Sequence, residues 1–286
     1  LAVHGEEKTR PNWWVLGGGL LFAVATIAIG LQNWKFGQEI IFALSMTIVL
    51  VMLWRLLREL EADARVTLLG TAIIIFVFRA LPGVGPGVSW WFIDVLKFDE
   101  AFLSKLDAIS SWLALLGLFV FRRFMGERSI YYILGFLTVV GTLLFLPTLG
   151  LLHGMHHWTA AHTGGVVDAR FIALVDTALD SPFGQVAMVP MLAWVARSAP
   201  RNLKATYFAV MASFSNLALS LKALGTKYMN QLYVVKRAVK DPVSGAVKNP
   251  EDYSQLTELV IVVAAISFIV PMVTILLLRM TRMRSA

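Results

Sequence analysis

The feature that most constrains this fold is a series of long apolar runs that recur along the chain. A helix needs about 20 such residues to cross a bilayer, because every backbone N–H and C=O inside the hydrocarbon must be paired within the segment. Hydrophobic residues make up 58% of the 286 residues and charged residues only 15%, which excludes an ordinary soluble domain. The sequence therefore predicts an integral membrane protein of the all-α class, a polytopic helix bundle.

About eight membrane spans are predicted from these runs. They begin near Trp13, Glu39, Thr67, Ile109, Tyr131, Phe171, Ala205 and Leu259. The first two precede a charged stretch that ends at Arg65, and the others follow it. No soluble domain interrupts the series.

The distribution of Lys and Arg predicts the orientation, because basic residues in short loops are retained in the cytoplasm. If both termini are cytoplasmic, most of the basic clusters lie on that side, and their position beside the spans also accounts for the net charge of +7. We therefore predict cytoplasmic termini and no nucleic-acid partner. The basic loop at residues 236–255 is the exception, and it is either a mobile insertion or a docking segment for a partner.

Four of the five histidines fall within HGMHHWTAAH, residues 153–162. The spacing of His153, His156 and His157 is typical of one histidine box of a membrane di-iron enzyme, in which imidazoles bind a transition metal. Such a site needs ligands from several segments, however, and the chain has no Cys to supply others. We interpret the segment as a polar loop with Trp158 at the membrane interface, and we predict no metal and no cofactor.

Ionisable side chains inside the spans are better candidates for function, since burying a charge in a membrane costs at least about 2.5 kcal/mol. Arg79 lies in the third span, directly before the helix-breaking run LPGVGPG. In the sixth span Asp176 and Asp180 are four residues apart and share one helical face, with Gln185 one to two turns further on. These residues predict a polar site within the membrane.

The seventh span adds a polar stripe, because Ser213, Asn216 and Ser220 recur at intervals of three and four residues. A purely structural interpretation of all these residues is also open. In that interpretation Arg79 forms an ion pair with Asp176 or Asp180, and the stripe bonds to neighbouring helices.

The stretch GQVAMVPMLAWVARSAPRNLKATYFAVMASFSNLALSL, which starts at Gly184, resembles the corresponding part of the folate–biopterin transporter family of the major facilitator superfamily. The matching residues are Asp176, Gly184, Gln185, Pro190, Ala196, Arg197, Pro200, Ala205, Thr206, Ser215, Asn216 and Leu217. Upstream, FRALPGVGPGVSWWFIDVLKFDEAFLS resembles the family's seventh helix and the loop after it. The resemblance covers roughly Thr67 to the end of the chain.

Three positions depart from the family or superfamily pattern. Arg79 stands where the family has an uncharged polar residue, and Lys204 stands where it usually has Glu. The segment GLFVFRRFMGER resembles a degraded form of the superfamily's cytoplasmic motif, with Phe121 in the place of its Asp. The first two changes add positive charge, which bears on the identity of the substrate.

The resemblance implies two six-helix halves with a substrate site between them and alternating access. Residues 1–65 would then hold the last two helices of the N-terminal half, and residues 66–286 the six-helix C-terminal half. The first four helices of the family would be missing from this sequence. If these residues are the whole protein, a partner chain would have to complete the fold.

The resemblance also implies roles for the site residues. Arg79 would bind a carboxylate or another anion of a folate-like or pterin-like substrate. Asp176 or Asp180 would take up and release a coupling proton, because burial disfavours the charged form of a carboxyl group. Gln185 and Asn216 would hydrogen-bond the ring.

Three classes of function follow from the sequence. The first is a secondary transporter of a small organic anion, with the lipid bilayer and a coupling proton as its other partners. The second is a non-transporting membrane scaffold or partner subunit built on a degenerate transporter fold. The third is a membrane metalloenzyme that uses the cluster from His153 to His162.

Overall fold

The computed structural model describes residues 20, 23–24, 26–32, 34–183, 186, 189–190, 192–193, 204–240 and 247–281. Gln185 and the motif residues Gly184, Ala196, Arg197 and Pro200 lie outside these residues. The chain divides into two compact units, residues 1–51 and 52–286. All the sites described below lie in the second unit, and the division of the chain at residue 65 stays a prediction.

Helices make up most of the described chain. They are α1 (Gly37–Arg58), α2 (Ala62–Ala80), α3 (Gly87–Asp94), α4 (Glu100–Val120), α5 (Arg122–Glu127), α6 (Ile130–Leu143), α7 (Phe145–Leu152), α8 (Met155–His162), α9 (Ala169–Asp180), α10 (Lys204–Leu232) and α11 (Leu256–Met280). A turn of 3-10 helix, Ser181–Phe183, follows α9.

Five segments of the described chain are long and apolar enough to cross a membrane. They are Gly37–Arg58, Glu100–Val120, Ile130–Leu152, Tyr207–Leu232 and Leu256–Met280. The third predicted span corresponds to α2, which carries Asp63, Arg65 and Arg79 within its 19 residues. The first and sixth predicted spans fall partly on residues that are not described. The all-α membrane bundle is confirmed, and the total of about eight spans stays a prediction.

Side-chain caps set several helix starts in the second unit. Asp99 accepts a hydrogen bond from the backbone N–H of Phe102 at 2.8 Å, and Asp168 accepts one from Phe171 at 2.8 Å. Each satisfies a backbone donor that has no partner within its helix, which is worth about 1 kcal/mol. These caps fix the first turns of α4 and α9.

Two spans of the second unit are broken near their middle or end. The segment LPGVGP separates α2 from α3, and Gly85 within it has a φ of +72°, a left-handed conformation that favours glycine. The segment is held on α10, because Gly83 N–H donates to Thr226 Oγ1 at 2.8 Å and Asn230 Nδ2 donates to the Val84 carbonyl at 3.2 Å. A second break, at Leu144, separates α6 from α7.

Two sets of helices surround these breaks. Helix α2 packs against α6, α10 and α11, whereas α9 packs against α4, α7 and α8. One buried apolar cluster joins α3, α7, α9 and α11, and it consists of Trp91, Leu151, Ile172, Leu256, Leu259, Val260 and Val263. Within lipid such contacts act through close packing rather than through the removal of apolar surface from water.

Two segments differ from the interpretation of the sequence. The histidine segment is helix α8 rather than a loop, because Gly154, with a φ of +74°, turns the chain after α7 and a new helix begins at Met155. The basic loop contains a short antiparallel hairpin of β1 (Val239–Lys240) and β2 (Val247–Asn249). This hairpin is a minor feature beside the helices.

Candidate functional site

Arg79 lies in the last turn of α2 and borders a cleft between α2 and α6. The other residues that line the cleft are apolar: Ile75, Phe78, Ile130, Ile133, Leu134 and Pro190. Within the described part of the chain, the buried Nε atom of Arg79 has no hydrogen-bond partner. A buried donor without an acceptor costs about 1 to 3 kcal/mol, so this N–H favours a ligand atom or a water beside it.

The cleft beside Arg79 is small. The volume open to the centre of a water molecule is about 20 Å³, and roughly 10 to 15 Å³ is needed for one water. In this conformation the cleft therefore holds about one water molecule. A larger ligand requires the surrounding helices to move apart.

Asp176 lies on α9 and is paired on one side of its carboxyl group. Its Oδ2 accepts a hydrogen bond from Thr148 Oγ1 on α7 at 3.4 Å. Its Oδ1 is buried and has no hydrogen-bond partner among the described residues. A buried carboxyl oxygen without a donor is costly when the group is charged, so Oδ1 is an atom at which a proton is favourable.

Asp180 lies one turn further along α9 and is exposed on the surface of the described chain. The next residue, Ser181, is buried, and its hydroxyl lies 2.9 Å from the hydroxyl of Ser110 on α4. The two aspartates interact electrostatically along one face of α9. A polar face thus begins at Asp176 and reaches the end of the helix.

The ion pair that the structural interpretation required is not formed. Among the described residues Arg79 makes no salt bridge, either with Asp176 or with Asp180. The different packing partners of α2 and α9 account for this. Arg79 on α2 is therefore separate from Asp176 and Asp180 on α9. Gln185 lies outside the described residues.

The predicted polar stripe of α10 faces away from the core. Ser213, Asn216 and Ser220 are all exposed, whereas Phe214 and Leu217 on the opposite face are buried. Ser220 donates a hydrogen bond to the backbone carbonyl of Asn216 at 3.4 Å. A polar stripe inside a membrane span is unfavourable against lipid, so this face suits a water-filled cavity or another helix.

The structure also contains a polar cluster that the sequence did not predict, formed by Asp94, Arg237 and Tyr253 and called here the Asp94 cluster. Arg237 binds Asp94 through its Nε, at 3.2 and 3.0 Å from the two carboxyl oxygens, and through its Nη2, at 3.0 Å from Oδ1. Tyr253 donates its hydroxyl to Asp94 Oδ2 at 2.5 Å. The cluster ties the end of α3 to the segment that carries the hairpin.

The pKa values of the Asp94 cluster reflect this mutual binding. Burial alone would raise the pKa of Asp94, but the hydrogen bonds from Arg237 and Tyr253 outweigh it, so the pKa lies below its ordinary value. The hydrogen bond to Asp94 raises the pKa of Arg237. No signal in the sequence near Asp94 indicates these partners, which lie 143 and 159 positions further along the chain.

The histidines of α8 form ring pairs along one helix. The rings of His156 and His157 are 4.0 Å apart between centroids, and those of Trp158 and His162 are 4.4 Å apart. Burial and then the neighbouring His157 lower the pKa of His156. Within the described residues, no three His, Cys, Asp or Glu side chains lie close enough together to hold a metal ion.

One family model and two curated proteins are similar to this chain. The model of the BT1 family matches residues 28–285, which begins well before the stretch that the sequence motifs covered. A curated protein of Synechocystis sp., named folate-biopterin transporter, is 30% identical over 158 residues, which is 55% of this chain and 31% of the relative. An Arabidopsis thaliana protein, named probable folate-biopterin transporter 4, is 25% identical over 138 residues, which is 48% of this chain and 27% of that relative.

The matched segments thus span less than a third of the length of each of these relatives. No solved structure matches the chain.

Proposed function

The chain belongs to the BT1 family, and from that premise we propose that it acts in a secondary transporter for a folate-like or pterin-like organic anion, by alternating access. The names of the two relatives support this substrate class. The long apolar helices are those of an integral membrane protein. The proposal concerns the substrate, the mechanism and the roles of individual residues.

The observation that carries the proposal is the buried Nε of Arg79, which has no hydrogen-bond partner among the described residues. A guanidinium in an apolar cleft is costly unless an acceptor reaches it, and a carboxylate is the acceptor that its planar fork fits best. In the proposed cycle the helices around α2 and α6 separate, and the substrate carboxylate binds Arg79.

A coupling proton is proposed to bind on α9, separately from the anion. Asp176 is the better candidate, because its Oδ1 is buried without a hydrogen-bond partner among the described residues, whereas Asp180 lies exposed on the surface of the described chain. Asn216, on the open polar face of α10, is proposed to hydrogen-bond the ring of the substrate. Gln185 keeps the same role as a prediction from the family resemblance.

The test is uptake of labelled folate or a simple pterin by the full-length protein in proteoliposomes, with and without a pH gradient. We expect Arg79→Ala to lower kcat/KM for uptake by about 30- to 100-fold, as the loss of a charge-assisted hydrogen-bond pair implies. Arg123→Ala is the matched control, because Arg123 is exposed and, among the described residues, pairs with Glu127 one turn away. Its uptake should equal that of the parent.

Two outcomes would contradict the proposal. Equal uptake by the parent and a correctly inserted Arg79→Ala variant would exclude Arg79 from substrate binding. A folded protein that transports neither folate nor a pterin, but co-purifies with a fixed partner chain, would favour the scaffold instead.

A further inference from the structure

The hydroxyl of Thr148 bonds differently from that of most threonines in the described helices. Most helical threonine hydroxyls donate to the backbone carbonyl four residues earlier, which satisfies them within their own helix. This holds for Thr71, Thr138, Thr142, Thr177, Thr226 and Thr274, at 2.7 to 2.9 Å. Thr148 instead donates across to Asp176 on another helix, at 3.4 Å.

The position of Thr148 suits this contact. It lies one turn after the break at Leu144, on α7, and α7 packs directly against α9. Both side chains are half-buried, so the contact is largely shielded from water. The hydroxyl donates to Oδ2 of Asp176, and the buried Oδ1 has no hydrogen-bond partner within the part of the chain that the structure describes.

We propose that Thr148 is a positioning residue for Asp176: its hydroxyl holds Oδ2, fixes the orientation of the carboxyl group, and makes Oδ1 the atom that accepts the proton. This inference rests on the proposed function, in which Asp176 takes up the coupling proton. It adds a residue to that site and names the atom of Asp176 that carries the proton. The step is a proton transfer: an O–H bond of a hydronium ion breaks as the O–H bond to Oδ1 forms, water is left behind, and release of the proton is the reverse.

Some of the helices that pack against α9 carry charged or titratable side chains that could also affect Asp176. Among the described elements that pack against α9, α4 carries Glu100, Lys105 and Asp107, α8 carries His156, His157 and His162, and α7 carries none. Helix α9 itself carries Arg170 in its first turn and, one turn after Asp176, Asp180. Repulsion by Asp180 favours the protonated form, whereas the hydroxyl of Thr148 favours the charged form.

Asp180 and the hydroxyl of Thr148 act in opposite directions on the protonation of Asp176. Removing the hydroxyl removes a donor that stabilises the carboxylate more than the carboxylic acid. The proton is then held up to a higher pH. In Thr148→Val we therefore expect the pH profile of uptake to move upward by about 0.5 to 1 pH unit, the range for loss of one such hydrogen bond.

The experiment compares Thr148→Val with two matched variants of the full-length protein. Thr148→Ser keeps the hydroxyl and should restore the pH profile of the parent. Thr142→Val removes the hydroxyl of a threonine in the same span that, in the described chain, donates to the Thr138 carbonyl of its own helix, and it should leave the profile unchanged. These two variants separate loss of the donor from loss of threonine packing.

A second measurement does not depend on transport. Infrared difference spectra across a pH titration report the carbonyl band of a protonated carboxyl group, and Asp176→Asn identifies which band belongs to Asp176. We expect Thr148→Val to shift both the frequency and the titration midpoint of that band, and Thr148→Ser to shift neither. Because the spectrum needs no substrate, it tests the pair even if the protein transports no pterin.

Two results would overturn the inference. One is a band and a pH profile that are the same in Thr148→Val as in the parent, which would mean that the hydroxyl does not act on the carboxyl group. The other is the absence of any titrating band that Asp176→Asn removes, which would mean that Asp176 does not exchange a proton. A failure of the proposed function alone appears differently, as no uptake together with a normal, Thr148-dependent band.

Discussion

Two aspartates of this protein, Asp94 and Asp176, have opposite surroundings. Both oxygens of Asp94 accept hydrogen bonds from Arg237, and one of them also accepts the hydroxyl of Tyr253. Asp176 has a single bond, from Thr148, and its other oxygen is buried without a partner in the described chain. The first carboxyl group has the partners that a permanent charge needs, and the second does not.

This difference separates a structural charge from a functional one. A carboxylate that is fully bonded gains little from being protonated, so it stays charged and holds α3 to the hairpin segment. A carboxyl group that is bonded on one side only can change its protonation state at little cost, which is the property that proton coupling requires. Arg79 belongs with Asp176 in this comparison, because its Nε, like Oδ1 of Asp176, is buried without a hydrogen-bond partner among the described residues.

The largest expected contrast is in transport. We expect Asp176→Asn to lower uptake driven by a proton gradient at least about tenfold, since the side chain can no longer exchange a proton. Asp94→Asn should change uptake by less than about twofold per folded molecule, because Asp94 lies outside the proposed site. The measurement is the initial rate of pterin uptake at matched amounts of inserted protein. A larger loss in Asp94→Asn would remove the distinction.

For the free energy of unfolding, substitution of Asp94 should have the larger effect and substitution of Asp176 the smaller one. We expect Asp94→Ala to lower the free energy of unfolding by about 2 kcal/mol, because Arg237 and Tyr253 are left without their acceptor. Asp176→Asn should be neutral or slightly stabilising, since it removes a poorly bonded buried carboxyl group. Thermal unfolding in detergent with a tryptophan fluorescence readout would compare them. Equal destabilisation by both substitutions would contradict the comparison.

The response to acid should sharpen this contrast. The pKa of Asp94 is lower in the folded protein than its ordinary value, so the stabilisation that it provides is fully present above the unfolded pKa of about 3.9. That stabilisation is lost as the pH falls through the folded pKa. We expect a difference in stability between the parent and Asp94→Asn that is constant from pH 5 to 7 and that shrinks below about pH 4. A constant difference down to pH 3 would contradict the assigned pairing.

The sequence predicted what is encoded locally. Long and mostly apolar runs identify α1, α4, α10 and α11, and a charge within such a run, such as Arg79 or Asp176, is visible without a structure. The BT1 family was identified in the same way, from motifs of neighbouring residues.

What the sequence did not predict depends on distant or ambiguous partners. Arg237 lies 143 positions after Asp94, and nothing near either residue indicates the other. The sequence also gave no reason to single out Thr148, because threonine in an apolar helix usually bonds within that helix. The histidine segment was misread because Gly154 restarts a helix where polar residues favour a loop.

The smallest expected effect concerns the hydroxyl of Tyr253. Tyr253→Phe removes one of the donors to Asp94 and keeps the ring, which packs against the buried cluster of Trp91 and Leu256. Arg237 still binds both carboxyl oxygens, so we expect a loss of only about 0.5 to 1 kcal/mol in the free energy of unfolding. The same loss should nearly vanish in an Asp94→Ala background, because the hydroxyl then has no carboxylate to bind. A double-mutant cycle measures this coupling. A coupling of zero would mean that Tyr253 contributes through its ring alone, and the Asp94 cluster would reduce to an ion pair.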